Sequence, residues 1–217
     1  MSSPSPIPIP RLGEQFEDLE KQDHAARLAM WVFLASEILL FAALFALYAA
    51  YRAMYPDDFG LAAAHNNVAI GTINTFILIT SSATVALALW AVRGGLIRLS
   101  AGLLFFSIGC GVVFLSLKGV EYAQHFRAGI YPGMGYRSAE LTGPGARLFF
   151  TIYYLITGLH ALHVVAGLTV LGWLAVGTLR GRFGPDDHLR FELGTLYWHL
   201  VDIVWIFVWP LLYLLHR

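Results

Sequence analysis

The chain has 217 residues, of which 58% are hydrophobic and 13% charged, with zero net charge and a mean hydropathy of +0.65. That balance excludes an ordinary soluble domain and leaves no electrostatic footprint for nucleic acid. A single cysteine, Cys110, excludes an internal disulfide and any CxxC metal or redox motif.

Residues 1–27 are a polar segment in which Pro4, Pro6, Pro8 and Pro10 alternate, a pattern that favours extended polyproline-like backbone. Residues 15–27 carry both charge signs and predict a short surface helix. No apolar core of a signal peptide stands in this segment, so the first span is expected to act as an uncleaved signal anchor.

Residues 28–217 are expected to form one transmembrane domain. A span needs about 20 apolar residues, and the stretches 29–51, 68–92, 99–117, 148–179 and 194–215 qualify. The predicted fold is all-α, a polytopic bundle of transmembrane helices. The fourth stretch is long and must tilt or extend beyond the bilayer. Of the nine prolines only Pro210 falls inside a span, close to its end. The short linker 93–98 predicts that the second and third helices pack as antiparallel neighbours. The longest loop, 118–147, is marked by Tyr131-Pro-Gly-Met-Gly and Thr142-Gly-Pro-Gly. Lys and Arg counted over the loops give an N-in, C-out orientation. It places Arg11, Lys21, Arg27, Arg93, Arg98, Arg180, Arg182 and Arg190 inside, and Arg52, Lys118, Arg127, Arg137, Arg147 and Arg217 outside.

The polar residues within the spans are the functional candidates. Glu37 lies in the first span, where a carboxyl costs a few kcal/mol or more unless it faces protein, water or a partner. It fits a proton-relay or headgroup site, or a plain interhelical hydrogen bond. In the second span Asn74, Thr75, Ser81, Ser82 and Thr84 form a polar seam suited to helix–helix contact. Lys118, Glu121 and Tyr122 follow the third span. There Lys118 is expected to snorkel to the interface and Glu121 to pair with it at i, i+3.

His160 and His163 stand three apart, a spacing open to metal or haem ligation, with His199 as a third nitrogen. Interhelical hydrogen bonding is the plainer reading. Gly158, Ala161, Ala166 and Gly167 let a neighbouring helix approach. Glu192 precedes the last span and suits a helix N-terminus. In that span His199 and Asp202 project from one face, with Trp198, Trp205 and Trp209 near the same stripe.

These pieces together resemble subunit III of the haem–copper oxidases. The matching stretches are Ser36-Glu37-Ile-Leu-Leu-Phe41, Asn74-Thr75 with Ser81-Ser82, Glu121-Tyr122, Gly158-Leu-His160-Ala-Leu-His163-Val with Gly167, Phe191-Glu192, and Tyr197-Trp198-His199-Leu-Val-Asp202-Ile-Val-Trp205. They run in family order from about residue 28 onward.

The resemblance implies a non-catalytic subunit that carries no haem or copper, these residing in partner subunits. It implies packing beside the catalytic subunit I of a bacterial terminal oxidase in the cytoplasmic membrane, with bound phospholipid and support of proton uptake. Glu37 matches the family's intramembrane carboxylate near a lipid cleft. Asn74, Glu121, His160, His163, Glu192, Trp198, His199 and Asp202 complete the polar-network candidates. Mitochondrial-type members have seven helices, so the five-helix form lacks part of the cleft wall. Two other readings are an accessory protein of a nitric oxide reductase and an independent proton-coupled transporter with Glu37 and Asp202 as coupling carboxylates. The chain shows no inverted repeat for the latter.

Overall fold

A computed structural model describes residues 17–133, 136–137, 141–185 and 187–215. The alternating prolines, Arg11, Arg217 and part of the Gly-rich loop motif lie outside the described residues. The elements are α1 (Leu19–Met54), α2 (Pro56–Ala64), α3 (Val68–Arg93), α4 (Ile97–Arg127), α5 (Pro144–Leu179) and α6 (Leu189–Trp209), which passes into a π-helical turn, Pro210–Leu214. There is no strand among the described residues. All but α2 are long and apolar enough to cross a membrane, with α6 and its π turn making the last span.

Of the predicted surface helix at 15–27, residues 19–27 form the start of α1 and not a separate element, and residues 15 and 16 lie outside the described residues. Asp18 caps α1 by accepting from the Lys21 N–H at 2.7 Å, and nothing between Leu19 and the apolar run breaks the helix. α4 runs ten residues past the predicted end at 117, where Lys118, Glu121 and His125 continue its buried face. α2 was absent from the sequence reading, being too short to show a period. It starts with Pro56 at its first turn and buries Phe59, Ala62 and Ala63.

Burial follows a regular register. α3 buries Gly71, Asn74, Leu78, Ser81, Val85, Ala88 and Val92, and α4 buries Ser100, Leu104, Ser107, Gly111, Phe114, Lys118, Glu121 and His125. Both sets alternate by three and four residues, the spacing of helices packed side by side at a shallow angle. Their antiparallel seam is joined by Ser100 Oγ donating to the Ala88 carbonyl at 2.8 Å and by Thr84 Oγ1 and Ser107 Oγ at 2.7 Å. α5 and α6 complete a four-helix core.

α6 supplies two tryptophans to the centre. Trp198 lies against Gly111 of α4 and Gly167 of α5, where an added Cβ would come within 3.1 and 2.6 Å of its ring. Trp205 meets Phe114 of α4 at 4.8 Å and His160 of α5 at 5.1 Å between ring centroids. In a bilayer such packing, and not exclusion of water, holds helices together. α1 is peripheral and buries only Leu34, Phe41 and Tyr48, one residue every seven.

Two polar devices close the end opposite the α1 N-terminus. Asp58 of α2 accepts from the Gly145 N–H at 2.8 Å and so caps α5 from another helix. Asp58→Ala is expected to cost about 1 kcal/mol, read as a lower unfolding temperature of the purified protein; an unchanged midpoint would mean the cap contributes nothing. At Pro210 the missing N–H turns α6 into the π turn. There Tyr48 Oη donates to the Leu211 carbonyl at 2.8 Å and Asn66 Nδ2 to the Leu212 carbonyl at 2.9 Å.

Candidate functional site: a polar interior

The three-and-four register of α4 carries Lys118 and Glu121 into the bundle. Lys118 is 4% exposed and Glu121 fully buried, which overturns the expectation that Lys118 snorkels to the interface. Its ammonium donates to Glu121 Oε2, Tyr153 Oη and Tyr213 Oη, each at 2.8 Å, so all three N–H groups are used. Tyr213 Oη in turn donates to the Glu121 carboxylate at 2.8 Å. The rings of Tyr122, Tyr153, Trp205 and Tyr213 surround the charge at 4.8–5.5 Å from their centroids. A charge pair at this depth is tolerable only with such full satisfaction.

His160 and His163 part company. His163 Nδ1 meets the Leu159 carbonyl at 2.8 Å, and a carbonyl only accepts, so Nδ1 carries a proton. Its Nε2 faces Glu37 Oε2 of α1 at 2.8 Å. Carboxyl and imidazole therefore share one further proton, held on either partner. Glu37→Gln keeps a donor for Nε2 and is expected to be mild. Glu37→Leu is expected to lose about 1 kcal/mol of α1 attachment, and equal thermal stability of the two variants would count against the tie.

His160 instead points into the core among Phe41, Phe114 and Trp205, and neither nitrogen has a hydrogen-bond partner among the described residues. Among the described residues no three His, Cys, Asp or Glu side chains are placed to hold one metal ion.

Side chains of α3 serve α6. Trp198 Nε1 donates to Ser81 Oγ and Trp205 Nε1 to Thr75 Oγ1, both at 3.1 Å, while His199 Nδ1 meets Ser82 Oγ at 2.7 Å. Asp202 is buried one turn further on, with the Ser82 hydroxyl beside its carboxyl. Asn74 is likewise buried, and its amide has no partner among the described residues.

Glu192 stands apart at the other end of the bundle. It draws Arg93 of α3 and Arg27 of α1, the latter at 3.4 Å, with His188 at 3.7 Å. It thereby ties three helices.

The structure thus joins Glu37 with His163 and Glu121 with Lys118, and sets His199 and Asp202 on either side of Ser82. It does not draw the sequence candidates into one centre. Sequence reading paired Lys118 with Glu121 but set the pair at the interface, and it missed Tyr153 and Tyr213 as members. Continuing the α4 stripe Ser107, Gly111, Phe114 by four and three residues reaches Lys118 and Glu121, a signal that was available. Between α1 and α6 an apolar groove of about 330 Å³ is lined by residues that include Ile38, Phe41, Phe45, Leu200, Ile203 and Phe207.

Comparison with known proteins follows the same stretch of chain. The family model for cytochrome c oxidase subunit III matches residues 19–216. The cytochrome c oxidase subunit 3 of Thermostichus vulcanus is 31% identical over 191 residues, 88% of this chain and 87% of that one. A probable cytochrome c oxidase subunit 3 of Nocardia farcinica is 28% identical over 182 residues, 84% of each. A heme-copper oxidase subunit I+III of Aeropyrum pernix is 32% identical over 197 residues, which cover 87% of this chain and 22% of that longer protein.

Proposed function

The chain belongs to the cytochrome c oxidase subunit III family, and on that footing we propose that it is the non-catalytic subunit III of a bacterial respiratory terminal oxidase. It sits in the cytoplasmic membrane with its N-terminus inside, beside a catalytic subunit I that holds haem and copper. The Aeropyrum pernix relative, named as a subunit I+III, supports that pairing. Orientation is supported by Lys21, Arg27, Arg93, Arg98, Arg180, Arg182 and Arg190 at one end of the bundle. The burial of Lys118 removes a positive charge from the opposite loop and sharpens that bias.

The observation that carries the reading is the placement of ionisable groups. Lys118 and Glu121 satisfy each other inside the bundle and brace it, while Glu37 and His163 stand at its edge with a shared proton. The first pair stabilises the subunit and, through it, its catalytic neighbour. The second supports proton uptake by that neighbour. The apolar groove between α1 and α6, lined in part by Ile38 and Phe41, takes a phospholipid acyl chain.

The test is affinity purification from the native membranes in mild detergent, with a reduced-minus-oxidised spectrum, oxygen consumption and identification of co-purifying chains. A haem-bearing multi-helix subunit is expected with this chain; a colourless chain purifying alone would remove the reading. For the lipid, Ala42→Trp in the groove is expected to reduce phospholipid retained through gel filtration, and undiminished retention would place the lipid elsewhere.

A further inference from the structure

Two histidines outside the Lys118 network meet at the end of the bundle opposite the α1 N-terminus. His65 ends α2 and is exposed. His125 lies in the last turn of α4, one turn beyond Glu121, and is 4% exposed. Their ring centroids are 6.3 Å apart and their planes 35° from parallel. Phe150 of α5 sets its ring edge-on to both, at 6.5 and 5.4 Å, so a third helix holds the pair together.

His163, His188 and His199 each engage a ring nitrogen with a carbonyl or hydroxyl. His125 differs, since its buried Nδ1 has no hydrogen-bond partner among the described residues. The same holds for Oδ1 of Asn66, the residue after His65, although that amide is pinned by Nδ2 donating to the Leu212 carbonyl at 2.9 Å. Buried polar atoms in native proteins are served almost without exception.

Two imidazoles and an amide oxygen form a donor set that suits a borderline divalent ion such as zinc. With N–Zn distances of about 2.0–2.1 Å, two imidazoles on one zinc ion stand with ring centres roughly 5–6 Å apart. His125 is fixed by its burial, and a small rotation of the exposed His65 closes the remaining gap. Lys118 and Glu121, one turn deeper, offset each other's charge and leave an arriving cation unopposed.

We propose that His65 and His125 form a binding site for a divalent transition-metal ion, which ties the short α2 to the end of α4. Asn66 Oδ1 and water complete the coordination.

The test uses zinc on the chain in the assembly that leaves the membrane in mild detergent. Native and variant preparations are freed of loosely held metal, dialysed against micromolar zinc and assayed for zinc by elemental mass spectrometry. His65→Ala is expected to bind one zinc ion fewer than the native protein, and because His65 is exposed its loss leaves the fold intact. His125→Asn is expected to lose the same ion. His65→Cys, which supplies another zinc ligand at that position, is expected to restore it. Equal zinc content in the native and His65→Ala preparations would overturn the site and leave the two rings as a packing contact served by water.

Discussion

Lys118→Met in the intact complex is expected to destabilise the bundle by about 3–5 kcal/mol, because removing one member of a buried ion pair leaves the other charged and unpaired. Glu121 is fully buried, and Tyr213 alone would remain to serve its carboxylate. The methionine fills much of the lysine's volume, so the loss reports charge and hydrogen bonding more than space. The double variant Lys118→Met/Glu121→Leu removes both charges, and buried pairs replaced by apolar residues of similar size are often neutral. It is therefore expected to recover most of the stability that the single variant loses. Tyr213→Phe removes one acceptor of Lys118 and one donor to Glu121, and should fall between the two at about 1–3 kcal/mol. Thermal unfolding followed by tryptophan fluorescence reads all three. A Lys118→Met protein as stable as the parent would show that the pair contributes nothing.

Trp198→Ala is expected to cost a further about 3–5 kcal/mol through the cavity it opens. The indole fills the junction of α3, α4, α5 and α6 and has no exposed surface. The converse change is as informative. Gly167→Ala brings a methyl within 2.6 Å of the Trp198 ring, so either the indole or α5 must shift. Overpacking of that kind costs about 1–3 kcal/mol. Combining Gly167→Ala with Trp198→Phe shortens the ring that the new methyl meets, so the pair should be less damaging than the sum of its parts. A double-mutant cycle measures that coupling. Strict additivity would mean that the ring and the glycine do not share the space ascribed to them.

The membrane-spanning helices were legible because each carries an apolar run of sufficient length, and the antiparallel α3–α4 pair because only a short turn joins them. Helix ends were less legible where polarity was taken for exposure. Lys118, Glu121 and His125 look like a solvated terminus by composition but continue the buried stripe of α4. Periodicity gives the face of one helix and is silent about what that face meets. Hence the stripe through Trp198, Asp202 and Trp205 was visible, whereas the sockets at Gly111 and Gly167 were not. For the same reason His160 and His163 looked equivalent, although one faces the tryptophans and the other Glu37. By composition Tyr213 belongs to the apolar stretch 194–215. Only the π turn that follows Pro210 brings its hydroxyl onto Glu121.

That turn has a consequence for biosynthesis. α6 is the last of these helices to be made and leaves the ribosome after the others. Until it does, α4 and α5 sit in the bilayer with their indole sockets empty, and Lys118 and Glu121 lack Tyr213. Tyr48 and Asn66 still wait for the carbonyls of Leu211 and Leu212. A chain halted before Pro210 would therefore present charge and open seams to the insertion machinery and to membrane proteases, and completed chains alone would pass on to assembly.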